Sequence, residues 1–425
     1  MNYKINSTKA YHVRELKTLG WELTVCNALH PEGSPIRKIL KRDASYGKLL
    51  SDYLSRIIPM EKVKKVIEIG GGYGFLMKDF LTENHFEAIT MLDISPFLLQ
   101  KQRDILHMEC IDFWEKDFLD TDTSLLRGVD LAVLNEILGD FPTVTGLGPE
   151  IFDKNKKKKD KIQIKIGDLF ERYMLDRPAA YPFNFNLGAM EAIEKLCVSG
   201  APYIFISEHS CEAVVSEPYR LFVPVSAPGF PERIRLRGHD EYTIKFSHLE
   251  AVARSFGYKS VRGPLADIIE FDFSDRVRFI LSSHSVEKDE HEIIRHFIED
   301  LFQYEYLLLI GYSPGKAAEL ECRRCGKCCM EDFIAYATQE DLERWQREDR
   351  KDILRMIERE HAVWAGDHLI SSEDGRYIHG CPFLDWEGDH ATCTIYETRP
   401  GVCRRYKPGS SEICSQWRKI KSKIY

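Results

Sequence analysis

Short continuous apolar runs alternate with helical periodicity over residues 61–285. Val66-Ile-Glu-Ile69 reads as a buried strand that runs into Gly70-Gly-Gly72-Tyr-Gly74 and then a helix over Phe75–Leu81. Ala88–Leu92 makes a second strand ending at Asp93, and Ser95-Pro96 opens a helix that continues from Phe97 to Leu106. Met108–Ile111 is a weaker third strand. Val129–Leu134 is a fourth, delivering Asn135-Glu136, and Ala201–Ser207 a fifth, delivering Glu208-His209. A helix follows over Phe246–Ala253, and Ile268–Phe273 with Val277–Leu281 reads as a closing antiparallel pair. Strands separated by helical stretches predict a doubly wound α/β sheet. Helical periodicity at Ile36–Leu40 and Tyr46–Ile58 predicts an N-terminal helical cap over residues 1–60.

The glycine spacing carries the first chemistry. Gly70, Gly72 and Gly74 can take positive φ and let backbone N–H groups approach a ligand, while the following helix aims its positive end at it. Phe75 stands where a dinucleotide fingerprint needs a small residue, so the pattern is the looser one that begins at Glu68. With Asp93 ending the next strand, placed to accept from ribose hydroxyls, the pair predicts a nucleoside-cofactor site. Asp117, in the loop Glu115–Asp120, is placed to meet a base amino group or simply to face solvent. Asn135 and Glu136 sit where parallel sheets put chemistry and are the catalytic candidates; their bland alternative is capping the next helix. His209 fits a core or loop histidine better than a catalytic one.

Composition narrows the partners. The 425 residues suit two or more domains, and a net charge of −8 offers no global positive field for nucleic acid or acidic lipid. No run of 18 apolar residues occurs and the first residues lack an apolar core, so a cytoplasmic protein without a membrane segment is expected. Residues 141–190 read as an insertion whose lysine run, Lys154–Lys161, is a solvated loop. Eight of the twelve cysteines crowd between Cys322 and Cys414, marking a second domain over 321–425 after a linker at 286–320. Within that linker, an amphipathic helix from Glu287 to Phe302 and a short apolar strand or turn at Tyr306–Ile310 precede a break at Ser313-Pro-Gly315. Cys322-x-x-Cys325-x-x-Cys328-Cys329, with Cys381, Cys393, Cys403 and Cys414, offers thiolates for zinc or an iron–sulfur cluster, and the neighbouring basic residues are expected to lower the thiol pKa values. Eight thiolates exceed one tetrahedral zinc. His379 and His390 lie near this set and read as surface histidines. Thr338-Gln-Glu-Asp341 is a capping box opening one charged helix towards Glu360.

The glycine loop, Asp93 and the expected final pair resemble class I S-adenosylmethionine-dependent methyltransferases. Ser95-Pro-Phe-Leu-Leu-Gln-Lys-Gln102, Asn135-Glu-Ile-Leu-Gly-Asp-Phe-Pro142 and Gly238-His-Asp-Glu-Tyr242 are similar to the MidA-like family within that class. The resemblance implies a Rossmann-like seven-stranded sheet over 61–285, S-adenosyl-L-methionine held by Glu68, Gly70, Gly72, Gly74, Asp93 and Asp117, and a protein arginine as acceptor. Glu136, oriented by Asn135, would take the proton that a cationic nitrogen must lose. The cysteine-rich region resembles the YkgJ-type CxxCxxCC family, which implies a small α domain that chelates zinc or iron. A similar module in flagellin lysine methylases keeps protein lysine open as acceptor. A small-molecule methyltransferase and a metal-handling assembly factor that uses the fold as a cofactor sensor also remain open.

Overall fold

The apolar runs become strands because helices cover both of their faces. The structure, a computed structural model, describes residues 3–17, 24–153, 160–215, 217–283, 288–311, 322, 324–330, 337–359, 362–365, 368–378, 380–388 and 390–406. Most of the lysine run, the break at 313–315, His379, Cys414 and the side chain of Cys328 lie outside the described residues. The chain divides into two compact units, 1–313 and 314–425. No helix of the described residues is long and apolar enough to cross a membrane.

The first unit holds a seven-stranded sheet of β1 (Lys65–Ile69), β2 (Ala88–Asp93), β3 (Ile111–Glu115), β4 (Leu131–Asn135), β5 (Tyr203–His209), β6 (Lys259–Pro264) and β7 (Tyr304–Ile310), in the order β6-β7-β5-β4-β1-β2-β3. Strands β5, β4, β1, β2 and β3 run parallel, and β7 lies antiparallel to both β5 and β6. Ten helices accompany it among the described residues: α1 (Lys9–Arg14), α2 (Val25–Leu29), α3 (Tyr46–Ser55), α4 (Phe75–Glu83), α5 (Pro96–Ile105), α6 (Lys161–Arg172), α7 (Leu187–Ser199), α8 (Phe246–Ser255), α9 (Asp275–Ser282) and α10 (Asp289–Leu301). Alternate strand residues separate into two cores. Val66, Leu131, Val133, Phe205 and Leu308 pack with Leu50 and Leu54 of α3, Met77 and Phe80 of α4, and Ile294 and Ile298 of α10. Ile67, Ala132, Leu134, Ile204, Ile206, Leu307 and Leu309 pack with Ile166 of α6, Ile193 and Leu196 of α7, and Leu249 and Val252 of α8.

Three expectations are corrected. The closing pair is formed by β6 and β7; Ile268–Phe273 is irregular and 275–282 is α9, which buries Val277, Ile280 and Leu281 at helical spacing. Residues 288–311 are therefore part of the first unit, because β7 fills the gap between β5 and an edge strand with buried Tyr304–Leu309. The N-terminal segment is not one cap: α3 is built into the sandwich core, whereas α1 and α2 lie towards the carboxyl ends of the strands. Two smaller β elements flank that end, a sheet joining 4–6, 143–147 and 183–185, and a hairpin of 233–235 with 240–242.

The second unit is not purely α. Helices at Lys327–Met330, Gln339–Arg347, Lys351–Arg359 and Gly401–Arg405 are joined by two short antiparallel ribbons, 362–365 with 368–371 and 384–387 with 390–393. The capping box at Thr338 forms, with Asp341 as its partner. Its helix stops at Arg347, since Asp349 turns at φ 51°, and a separate helix follows. Trp345, fully buried beside Ile353 and Ile395, anchors this unit and donates its indole N–H to the Thr398 carbonyl at 2.8 Å.

Because Leu308 is fully buried in the middle of β7, Leu308→Ala should cost about 2–5 kcal/mol in chemical denaturation. A change below about 0.5 kcal/mol, as expected at an exposed linker position, would contradict the place given to β7.

Candidate functional site

The strand order reverses between β1 and β4, and in such sheets the crevice at the carboxyl ends is where a ligand fits. A cavity of about 520 Å³ opens there, lined by Glu68, Gly70, Gly72, Asp93, Asp117, Asn135 and Glu136 among others. Gly74 is not on its wall; it caps α4 in the left-handed region, at φ 84°. Gly70 is required twice over. Its φ is 69°, and a Cβ there would stand 2.5 Å from Ile137 Cδ1, so only glycine lets the turn after β1 meet the turn after β4.

On the β1–β2 side, burial governs the carboxylates. Glu68 is buried, its Oε2 has no hydrogen-bond partner among the described residues, and burial followed by the nearby Asp93 pushes its pKa up to about 8. Asp93 accepts the Ser95 N–H at 2.9 Å and the Gln102 side-chain amide at 3.2 Å, and burial raises it to about 6. Gln102 also donates to the Gly72 carbonyl at 3.0 Å, tying the glycine turn to Asp93. Asp117 is already engaged: one oxygen accepts the Leu119 N–H at 2.9 Å and the other pairs with Lys9 at 2.7 Å.

On the β4–β5 side lies a closed hydrogen-bond network. Glu136 sits at φ 52°, a conformation that costs a non-glycine residue on the order of 1–3 kcal/mol and that clusters at functional positions. Its Oε1 accepts the Val25 N–H at 3.1 Å and the Tyr304 hydroxyl at 2.9 Å, and its Oε2 accepts the Asn135 amide at 3.0 Å. Asn135 in turn accepts the Ser207 hydroxyl at 2.6 Å, so its amide is fixed to donate to Glu136. Burial raises the Glu136 carboxyl to about 7, against the lowering effect of the Val25 and Tyr304 hydrogen bonds. His209 is on the cavity wall, its Nε2 2.9 Å from Asp300 and its ring tilted by 36° against that of Tyr304, with centroids 3.9 Å apart. Burial pulls its pKa down, but the hydrogen bond to Asp300 and the nearby Glu208 carboxylate prevail and hold it at about 10, so the imidazole is a cation at neutral pH.

Sequence reasoning missed Asp300 and Tyr304, which fall in the stretch read as a linker, and Lys9, His12 and Cys26 of the N-terminal segment. The end of β5 carried a signal for Glu208, which accepts the Gly139 N–H at 3.1 Å.

In the second unit Cys322, Cys381, Cys393 and Cys403 are free thiols. The Cys381 N–H donates to the Cys329 carbonyl at 2.8 Å and the Ala391 N–H to the Arg324 carbonyl at 2.7 Å, so the first cysteine loop is laid against the ribbon that carries Cys393. Burial, then neighbouring Cys393, raises the Cys381 thiol; burial, then Cys381 and Cys393, raises Cys403 to about 11. This corrects the expectation of lowered thiol pKa values at those two positions: desolvation outweighs the basic neighbours. A bound cation would reverse the balance by stabilising thiolate. Among the described residues no three cysteine sulfurs come within 4.8 Å of one another. Cys322 and Cys329 are exposed, Cys325 is half-buried, and His390 is at the surface.

Residues 321–419 match the CxxCxxCC family, described as a zinc- or iron-chelating domain. No curated protein matches the chain. Similar solved structures include an uncharacterised protein from Burkholderia thailandensis, 12% identical, covering 62% of this chain and 78% of that one with a TM-score of 0.41. A member of the same superfamily from that organism, bound to S-adenosyl-homocysteine, is 14% identical over 68% of this chain and 78% of that one, again with a TM-score of 0.41. The plantazolicin methyltransferase BpumL in complex with SAH is 12% identical over 68% and 88%, with a TM-score of 0.34. Likenesses this distant say nothing about activity.

Glu68 supplies a pH test. Its folded pKa lies above the ordinary 4.5, so its contribution to stability is complete below that value and is lost as pH rises through about 8. Glu68→Gln should therefore raise the melting temperature relative to wild type at pH 9 and leave the difference small at pH 5, as read by calorimetry; a difference that does not vary with pH would contradict a buried carboxyl at this position.

Proposed function

We propose that residues 1–313 form an S-adenosylmethionine-dependent methyltransferase acting on a cationic nitrogen, with a protein arginine or lysine side chain as acceptor, and that the cysteine-rich unit binds zinc or an iron–sulfur cluster. The observation that carries this reading is the acidity of the cavity: among the described residues eight acidic side chains line it, Glu68, Asp93, Asp117, Glu136, Asp140, Glu208, Glu241 and Asp300, against two lysines, cationic His209 and no arginine, with Glu68 mainly in its acid form at neutral pH until a cation arrives. Such a wall disfavours the pyrophosphate of a dinucleotide and favours a sulfonium cofactor and a guanidinium or ammonium acceptor. The sheet has the seven strands that the methyltransferase resemblance implies, with an antiparallel β7 between β5 and β6.

The residues present fit the cofactor. The unpartnered Glu68 Oε2 is a buried polar atom awaiting a partner, Asp93 suits ribose hydroxyls, and the turn is tight at Gly70 and Gly71, where a Cβ would stand 2.5 Å from Ile137 Cδ1 and 2.7 Å from Met91 Cε. Glu68, Gly70, Gly72 and Asp93 would hold it, with Asp117 near the base, and bound there it supplies an electrophilic methyl group. The chain's own task is to position a nitrogen and receive its proton. Glu136 is held for that task by Val25, Tyr304 and Asn135 on three sides. With a pKa near 7 it is largely carboxylate above neutrality, able to localise the acceptor's charge and take the proton as the new bond forms. Cationic His209, pinned by Asp300, lowers the Glu136 pKa against the raising effect of Glu208.

The test is transfer of label from methyl-tritiated S-adenosylmethionine into cell extract. Wild type should label a discrete protein whose hydrolysis yields methylated arginine or lysine, with a rate that rises through about pH 7. Glu136→Gln should lower it by about 10²–10⁴-fold. Label confined to small products would overturn the protein acceptor, and cofactor binding without any transfer would replace catalysis with a sensing role.

A further inference from the structure

At the rim of the cavity, three segments far apart in sequence bring metal-ligand atoms together. His12 comes from α1, Asp140 from the short turn 138–140 that follows β4, and His239 from the turn of the hairpin 233–242. Their ligand atoms all lie within 4.8 Å of one another, and among the described residues this is the one such group. His12 Nε2 is 2.9 Å from Asp140 Oδ1, His239 Nε2 is 3.8 Å from the same oxygen, and Glu241 Oε1 is 3.0 Å from His239 Nε2. Metal–nitrogen and metal–oxygen bonds of roughly 2.0–2.2 Å place adjacent ligand atoms about 3.0–3.5 Å apart in octahedral or tetrahedral sites; His12 and Asp140 stand at 2.9 Å and His239 and Asp140 at 3.8 Å, so a small inward shift of His239 completes the set.

We infer that His12, Asp140 and His239, with Glu241 beside them, form a site for a divalent first-row cation that is separate from the cysteine cluster. Two imidazoles and one carboxylate, with no thiolate, suit manganese, iron, cobalt or zinc in the divalent state, and Glu241, against His239, adds negative charge beside the three ligands. The side chains are sheltered, His12 11%, Asp140 10% and His239 3% exposed. Their orientation is set by the surroundings. The Tyr11 ring stacks on that of His239 at 4.3 Å, and Gly238, at φ 99°, admits it, since a Cβ there would stand 2.6 Å from the Tyr11 ring. The Thr8 hydroxyl donates to the Asp140 carbonyl at 3.0 Å, fixing the start of α1 against the turn that carries the carboxylate.

The consequence concerns the wall of the cavity. His12, Asp140 and Glu241 all line it, and Lys9 of the same helix reaches Asp117. A cation held by this group fastens α1 and the hairpin to the turn after β4, closing that side of the pocket. A plain histidine–aspartate hydrogen-bond network is the competing account of the same atoms.

Manganese(II) is the probe that separates the two, because it avoids thiolates and can be followed in the full chain with the cysteine unit in place. Wild type should bind one equivalent, read as loss of the free-ion EPR signal, and pulsed EPR should show ¹⁴N coupling from imidazole. His12→Gln/His239→Gln should weaken binding at least tenfold and remove that coupling, with Asp140→Asn as a second variant should the double variant fail to fold. Absence of ¹⁴N coupling in wild type, or equal affinity in wild type and folded variant, would overturn the site and leave the hydrogen-bond network.

Discussion

Strands β1 and β4 are covered on both faces, so they can present polar groups to a ligand only where they leave the sheet, and they leave it side by side. That constraint organises the first unit. The turn after β1 must pass so close to the turn after β4 that Gly70 packs against Ile137, and the two strand ends then place Glu68 and Glu136 on one cavity. The N-terminal segment and β7 complete the enclosure, since the Val25 N–H and the Tyr304 hydroxyl both end on the Glu136 carboxylate.

Enclosure also sets the electrostatics. Glu68, Asp93 and Glu136 are each raised chiefly by burial, which means the fold holds several carboxylates where ionising them is costly. A positively charged occupant relieves that cost, and so the same desolvation that raises the pKa values selects for cations. The second unit shows the same physics with thiols: burial and mutual proximity raise Cys381 and Cys403, a strain that a chelated metal would remove.

Much of this was legible in the residues. The runs at 66–69, 88–92, 129–134 and 201–207 are mostly apolar because both faces are buried, and each is found as a strand with a small shift of its ends. Helix starts at Ser95 and Thr338 were readable because their side chains cap. The closing pair was not legible. Edge strand β6, Lys-Ser-Val-Arg-Gly-Pro, has a single large aliphatic residue, whereas α9 has the apolar content that a strand would show. Misplacing that pair hid Asp300 and Tyr304. The cluster of His12, Asp140 and His239 has no spacing to read, since three separate segments supply it. For the cysteines, the spacing in sequence was plain but the burial that raises their pKa values was not.

The central claim is that the crevice between β1 and β4 binds a sulfonium nucleoside through Glu68, the glycine turn and Asp93. The most direct measurement is calorimetric titration of the full chain with S-adenosyl-homocysteine, on wild type, Gly72→Arg, Asp93→Ala and Glu136→Gln. The account predicts binding by wild type, loss of at least tenfold in affinity for Gly72→Arg and Asp93→Ala, and near-wild-type affinity for Glu136→Gln. No binding by wild type, or equal affinity in Asp93→Ala, would contradict it.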